Sequence, residues 1–190
     1  MKASKFTIYT FAVAFTFIGL GCHTIKVRYA KMQERKNPVQ SNIIKPVRNA
    51  TQAYILRFHK VAQTEQQKFG IPASITLAQG ILESGVGRSK LASKHNNHFG
   101  IKCWCKGRKH DCVPMADDAP SDRFKKYPSA WQSYRHHSQF VSKMPLKISR
   151  GANYKQWAKA LKRAGYATKR TYAEDLIAVI EKYGLHKYDL

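Results

Sequence analysis

The sequence PASITLAQGILESGVGRSKLASKHNNHFG, residues 72–100, contains the helix around which the rest of the chain is organised. A helical period of 100° per residue gathers its apolar side chains on one side: Ile75, Leu77, Ala78, Ile81 and Leu82. The opposite side is polar and small: Thr76, Gln79, Gly80 and Glu83. Pro72 suits the first turn of a helix and Gly85 suits a left-handed stop. We therefore expect a helix that ends just before Gly85, with Glu83 in its last turn.

The position of Glu83 points to acid–base chemistry. A carboxylate at the negative end of the helix dipole is disfavoured, which raises its pKa. A glutamate that stays partly protonated near neutral pH is suited to act as a general acid. An ordinary solvated residue at a helix end is the alternative interpretation. Gly80, one turn earlier on the same side, would leave room for another molecule to lie against the helix.

Several longer stretches resemble one enzyme family. The phrase AQGILESGVGRSKLA (78–92), followed by NNHFGIKC (96–103), resembles the glucosaminidase domain of glycoside hydrolase family 73. RFKKYPSAWQSYRHHSQF (123–140) and WAKALKRAGYATKRTYAEDLIAVIEKYGL (157–185), with its GYAT…YA signature, are similar to the later helices of that family. The resemblance runs from about Ala53 to Tyr188. It implies a peptidoglycan-cleaving N-acetylglucosaminidase with a lysozyme-like fold.

The resemblance also suggests further site residues. In the family the NNHFG segment lies along the substrate cleft, so it implies that Asn97, His98 and Phe99 contact sugar, although an asparagine turn explains the segment equally well. It places Tyr166, as a catalytic group, and Tyr172, as a substrate-binding residue, along the cleft near the scissile bond, although both could equally be half-buried aromatic residues with a solvated hydroxyl. Gln79, on the polar side of the central helix, is a further substrate-binding candidate. The second acidic residue of the family comes from a small β-lobe, whose matching segment here carries Asp117 and Asp118. Turn-forming aspartates are the alternative interpretation of that pair.

The composition is strongly basic. The 190 residues include 34 Lys and Arg against 11 Asp and Glu, which gives a formal charge of +23. Such a balance attracts anionic polymers, but the basic residues are spread along the whole chain and form no nucleic-acid-binding motif. We therefore expect peptidoglycan glycan strands and an anionic envelope surface as partners, with no specific nucleic acid. A hydrophobic content of 43% suits one compact domain, expected to be a monomer.

The first 22 residues are typical of an export signal. Lys2 and Lys5 precede the apolar run FTIYTFAVAFTFIGLG (6–21), which ends at Cys22. IGLGC resembles a lipoprotein processing site, so we expect lipidation or cleavage there, with a short uncleaved anchor as the alternative. Residues 23–50 are predicted to be a basic linker and residues 51–190 the catalytic domain. The protein is expected to be exported to the cell envelope.

Three cysteines lie close together after the central stretch. Cys103, Cys105 and Cys112, with His110, could complete a tetrahedral zinc shell, but the spacing is not a standard zinc pattern. An exported protein is more prone to oxidise such thiols. A disulfide to Cys112 from either Cys103 or Cys105 is therefore expected across a β-hairpin, and no metal or other cofactor is expected.

Together these patterns predict five helices with a short β-excursion between the second and the third. The fold class is α+β, mainly α, and with the resemblance it becomes a lysozyme-like two-lobed domain with a small β-hairpin lobe. The expected function is hydrolysis of the β-1,4 glycosidic bond after N-acetylglucosamine, in the manner of an endo-β-N-acetylglucosaminidase. A lytic transglycosylase of related fold and a non-catalytic wall-binding module are the alternatives.

Overall fold

A computed structural model describes residues 49–103, 111–115 and 122–190 of the chain. Its first helix, α1, spans Ala50–Phe69. The helix begins at Asn49, whose side chain accepts a hydrogen bond from the Gln52 backbone N–H, and it ends at Gly70, whose φ of 73° is readily adopted by glycine. None of the helices in these described ranges is long and apolar enough to cross a membrane.

The central helix, α2, spans Ala73–Ser84 and is buried on almost all sides. Leu82 and Glu83 are its exposed residues, so the predicted division into an apolar and a polar face is wrong. The helix is enclosed because α1, the last two α-helices and the final 3-10 turn described below pack against it. Gly85 ends it in the left-handed conformation, as predicted.

A short helix, α3, spans Lys90–His95, where the sequence analysis predicted no helix. The Ser89 side chain caps it by accepting from the Ala92 backbone N–H at 3.1 Å, and Asn96 ends it with a positive φ. Six residues are too few for a helical period to be visible in sequence. The described residues therefore contain six α-helices rather than the five predicted.

A small β-lobe follows α3. Strand β1, Cys112–Pro114, pairs in antiparallel fashion with β2, Arg123–Lys125, with Val113 opposite Phe124. A disulfide joins Cys103 to Cys112. The backbone N–H of Cys103 donates to the Arg123 carbonyl at 2.8 Å, so the segment after α3 is fixed to β2 as well.

Three more α-helices complete the domain: α4 Ala130–Ser142, α5 Tyr154–Arg163 and α6 Tyr172–Tyr183, followed by a 3-10 turn over Leu185–Tyr188. One hydrophobic core runs through them and α2, built from residues such as Tyr134, Leu161, Leu176 and Ile180. The predicted class, mainly helical with a small β-lobe after the central helix, is confirmed.

Candidate active site

A surface groove of about 570 Å³ lies beside the end of α2. Its apolar walls come from α3, the β-lobe and α4, and include Leu91, Phe99, Ile101, Met115, Phe124 and Phe140. Its polar lining includes Glu83, Ser89, Lys102, His136, Tyr166 and Thr168. The groove thus combines broad apolar surfaces with a few polar groups, as sites for small organic ligands and sugars do.

Glu83 reaches this groove from the last turn of α2, which ends at Ser84 before the left-handed Gly85. The residue is exposed, yet protein surrounds part of its carboxyl group, and this partial desolvation raises the pKa of Glu83 above its usual range. A hydrogen bond from Tyr172 acts in the opposite direction and lowers the pKa. A carboxyl group that is open to solvent on one side and held partly protonated can donate a proton to a molecule in the groove.

Two tyrosines stand beside Glu83. The Tyr172 hydroxyl donates to Glu83 Oε1 at 3.2 Å and accepts from Gln79 Nε2 at 3.1 Å. The ring of Tyr166 stacks on that of Tyr172 with centroids 5.6 Å apart. Burial raises the pKa of both phenols, with the Glu83 carboxylate adding to the effect, so both stay protonated at ordinary pH.

The structure corrects the prediction that Asn97 binds substrate. Asn97 is 1% exposed, and its amide group is used inside the protein. Its Nδ2 donates to the carbonyls of Ile101 and Lys125 at 3.0 and 2.9 Å, and its Oδ1 accepts from the backbone N–H of Ile101. Asn97 therefore fixes the segment after α3 against β2 and shapes the groove without facing it.

His98 and Gln79 are also buried rather than presented to a ligand. His98 Nδ1 lies 3.0 Å from the Tyr54 hydroxyl, and its backbone N–H donates to Ser133 Oγ. Burial lowers the pKa of His98 to about 4, so the ring is neutral. Gln79 is 0% exposed and contacts Tyr172 instead of solvent. The prediction that these two side chains bind sugar is therefore wrong.

Phe99 does line the groove, although it is 5% exposed. Its inner surface stacks on the fully buried His137, with ring centroids 4.0 Å apart. His137 in turn meets the edge of Tyr166 at 5.9 Å. The aromatic layer under the groove thus runs from Phe99 through His137 to Tyr166.

The structure describes only some of the remaining predicted residues. Asp117, Asp118 and Cys105 lie outside the described residues, and so does His110. The Cys103–Cys112 pairing is one of the two disulfides that the sequence left open. No cluster of three potential metal ligands occurs in 49–103, 111–115 or 122–190.

Several groove residues were not predicted from the sequence: Lys102, Met115, Phe124, His136 and Phe140. Strand alternation gives a partial signal for Phe124, whose neighbours Arg123 and Lys125 are less buried. Lys102 has no comparable signal, since its place in the groove follows from an isolated bridge to Phe124. Its ammonium group contacts Asp122 at 2.9 Å.

A larger cavity of about 890 Å³ lies near the end of α1; its lining includes Gln66, Arg150 and Trp157 but not Glu83. The carboxylate side chain in its lining, Asp189, is already engaged. It accepts hydrogen bonds from the Ser74 backbone N–H and hydroxyl, both at 2.8 Å. The smaller groove at Glu83 is therefore the better candidate for acid–base chemistry.

Comparison with known proteins identifies the family of the chain. The sequence profile of the glucosaminidase family, described as mannosyl-glycoprotein endo-beta-N-acetylglucosaminidase, matches residues 59–185. This chain belongs to the glucosaminidase family, glycoside hydrolase family 73. The matched range holds all elements from the middle of α1 to the end of α6, and so it includes the whole groove.

Individual relatives of this glucosaminidase domain support the same membership. The chain is 38% identical over 142 residues to the exo-glucosaminidase LytG of Bacillus subtilis, covering 67% of this chain and 50% of that protein. It is 26% identical over 155 residues to the peptidoglycan hydrolase FlgJ of Vibrio cholerae, covering 71% of this chain and 45% of that one. The chain thus spans about half the length of these curated relatives.

Solved structures show that the glucosaminidase fold is shared. The catalytic domain of the autolysin Auto from Listeria monocytogenes superposes with a TM-score of 0.62 at 25% identity, covering 90% of this chain and 99% of that one. The glycoside hydrolase domain of FlgJ from Salmonella typhimurium gives 0.59 at 25% identity, covering 72% and 90%. The predicted lysozyme-like fold class is confirmed.

Proposed function

We propose that the protein hydrolyses the β-1,4 glycosidic bond after N-acetylglucosamine in peptidoglycan glycan strands. The observation that carries the proposal is the exposed Glu83 at one wall of the groove, with a pKa raised by partial desolvation. Membership of the glucosaminidase family supports the choice of bond and substrate. FlgJ relatives are named peptidoglycan hydrolases, which supports the wall polymer as the source of that bond.

In the proposed reaction, Glu83 donates its proton to the oxygen that leaves the scissile bond. The glutamate becomes a carboxylate in this step. The Tyr172 hydroxyl then donates its hydrogen bond to a full negative charge, which makes that bond stronger than it is to the neutral acid. Tyr166 lines the groove and supports the ring of the buried Tyr172 by stacking on it.

The second half of the reaction needs a group that stabilises the positive charge developing on the sugar. Asp117 or Asp118 could activate water or stabilise that charge. Alternatively, the acetamido group of the substrate itself could be the nucleophile, which requires no second carboxylate. Separate Asp117→Asn and Asp118→Asn variants discriminate these routes, because the substrate-assisted route predicts that both keep substantial activity.

Analysis of reaction products tests the proposed bond directly. Purified peptidoglycan is digested with the protein, and the soluble fragments are analysed by mass spectrometry before and after borohydride reduction. Reducing N-acetylglucosamine ends support the proposal. Anhydro-muramyl ends would identify a lytic transglycosylase instead, and binding without any fragment release would identify a wall-binding module.

The same experiment also tests whether the enzyme cleaves within a strand or from its end. LytG is named an exo-glucosaminidase, whereas the family description is that of an endo-acting enzyme. We propose endo action, which the description of the family supports. Early release of long fragments from defined strands supports endo action, and release of small units from one end contradicts it.

We also propose that the protein acts in the cell envelope, with residues 1–22 as an export signal and Cys22 as a lipid attachment site. The named autolysin and FlgJ relatives support an envelope location. The basic composition would add attraction to an anionic envelope surface. Fractionation of cells that express the full chain, with a Cys22→Ser variant as control, distinguishes lipidation from simple cleavage.

A further inference from the structure

Gln79 occupies an unusual place for an amide side chain. It lies one turn before Glu83 on α2, is 0% exposed, and donates from Nε2 to the Tyr172 hydroxyl at 3.1 Å. Its Oε1 atom is buried without a hydrogen-bond partner. A buried amide with one unsatisfied atom has a cost in stability. Packing alone therefore does not explain why a glutamine occupies this buried position.

The hydrogen bonds around Tyr172 have a defined direction. A phenol has one proton to donate and two lone pairs that accept. The Gln79 amide N–H can only donate, so it occupies a lone pair of the Tyr172 oxygen. The phenolic proton is thereby left for Glu83 Oε1, 3.2 Å away. If Gln79 presented its oxygen instead, Tyr172 would give its proton to Gln79 and could only accept from Glu83.

We propose that Gln79 is a positioning residue that directs the Tyr172 hydroxyl proton towards Glu83. It acts on the reaction through Tyr172 and does not touch substrate. Donation from Gln79 polarises the phenol and makes it a better donor to the carboxylate that forms when Glu83 gives up its proton. As a statement about catalysis, this inference rests on the proposed function.

Other titratable groups surround the same place. Tyr166, in the segment between α5 and α6, stacks on Tyr172, and His137 of α4 lies behind Tyr166. On the groove side, His136 of α4 and Lys102 of the β-lobe face the cavity that Glu83 lines, with Lys102 held by Asp122. Of the described groups, Tyr172 is the one that hydrogen bonds to the Glu83 carboxyl.

A titration of the Glu83 carboxyl tests the inference without requiring activity. The protein is labelled with ¹³C at the glutamate side-chain carboxyls, and the Glu83 signal is assigned as the one lost in Glu83→Gln. Gln79→Met keeps an unbranched side chain but removes the donor. We expect the pKa of Glu83 to rise by about half to one unit, because the carboxylate loses part of its stabilisation.

Thr76→Val is the matched control. Thr76 lies on the same helix one turn before Gln79, is equally buried, and has a hydroxyl group without a hydrogen-bond partner. Its replacement removes a buried polar atom without touching Tyr172. We expect the Glu83 titration to be unchanged in this variant. If Gln79→Met fails to fold, Gln79→Asn withdraws the amide from Tyr172 with a smaller change in shape.

A double-mutant cycle separates an action through Tyr172 from a general change in the helix. In the Tyr172→Phe background, Gln79→Met should have no further effect on the Glu83 titration. An unchanged or lowered pKa of Glu83 in Gln79→Met would overturn the inference, and so would an equal shift in Thr76→Val. Wild-type protein that shows the expected titration but releases no wall fragments would refute the proposed function while leaving the assigned hydrogen-bond direction intact.

Discussion

The Tyr54 hydroxyl of α1 lies 2.6 Å from the position that a Cβ atom on Gly80 would occupy. Gly80 therefore makes room for the protein's own core, rather than for a ligand as the sequence suggested. The Tyr134 hydroxyl approaches the same position at 3.0 Å and donates to Tyr54, whose oxygen also lies beside His98 Nδ1. This buried polar chain holds α1, α4 and the segment after α3 against the helix that presents Glu83.

Replacement of Gly80 by alanine is expected to destabilise the protein. Alanine would ordinarily favour a helix by about 0.5–1 kcal/mol over glycine. The new methyl group would collide with two hydroxyl groups, and overpacking of this kind costs about 1–3 kcal/mol. We expect a lower denaturation midpoint in urea for Gly80→Ala. Tyr54→Phe should partly relieve the collision, so additive effects in the double variant would contradict this reading.

An ion pair with a buried carboxylate and a partly exposed arginine joins α1 to α4 and gives a second stability test. Arg135 Nε lies 2.9 and 2.8 Å from the two oxygens of Glu65, which is 0% exposed. Arg135→Ala leaves the Glu65 carboxylate buried without its partner, and we expect a loss of about 3 kcal/mol in the free energy of unfolding.

The surface pair of Lys155 and Glu181 is the matched control. Lys155 Nζ lies 2.8 Å from Glu181 Oε1, as close as the atoms of Arg135 and Glu65, but the two side chains are 53% and 48% exposed. Water replaces such a partner easily, so Lys155→Ala should leave the urea midpoint unchanged. Equal effects of the two substitutions would show that burial of Glu65 is not what makes its partner important.

The Cys103–Cys112 disulfide is expected to stabilise the β-lobe. It closes a loop with a sequence separation of 9, and loop-closure entropy predicts a contribution of about 2.5 kcal/mol. Cys112→Ser and Cys103→Ser should therefore lower stability alike, while Cys105→Ser should not. Peptide mapping under non-reducing conditions checks the pairing. A Cys105–Cys112 bridge, with Cys103→Ser harmless, would contradict the structure.

Loss of the Tyr172 hydroxyl is expected to move the pH dependence of activity. Its hydrogen bond lowers the pKa of Glu83, while desolvation raises it, so Tyr172→Phe should raise the pKa further. A general acid works in its protonated form, and activity falls as pH rises through its pKa. We therefore expect the alkaline limb of the pH–rate profile to move to higher pH, with a rate lowered by roughly tenfold at the optimum.

Tyr183→Phe provides the comparison for that profile. Tyr183 lies at the end of the same helix, α6, and does not line the groove. The Tyr183→Phe variant should retain the wild-type pH–rate profile. An alkaline limb that moves to lower pH in Tyr172→Phe would mean that Tyr172 does not stabilise the carboxylate form of Glu83.

The sequence predicts the central helix and its catalytic candidate because both depend on local signals. Pro72 and Gly85 bound α2, and the position of Glu83 in its last turn follows from them. The resemblance to the family adds the order of the later helices. These features survive in the structure because caps and left-handed glycines act within a few residues of the chain.

The misplaced residues share a different physical cause. Gln79 was assigned to an open face because one side of a helix usually meets water, but here four other elements enclose α2. Asn97 has the chemistry of a sugar ligand, and the same chemistry lets it satisfy backbone groups of two neighbouring segments. Helical periodicity and side-chain chemistry do not tell which partner a polar group will find, because tertiary packing decides it.

The most direct test of the account is the release of soluble fragments from purified peptidoglycan by Glu83→Gln. Glutamine preserves the size of the side chain but cannot give up a proton to the leaving oxygen. We predict a loss of at least about 100-fold in the rate of release, with an unchanged thermal transition and retained binding to the wall. A variant that releases fragments at the wild-type rate would contradict the assignment of Glu83 as the general acid.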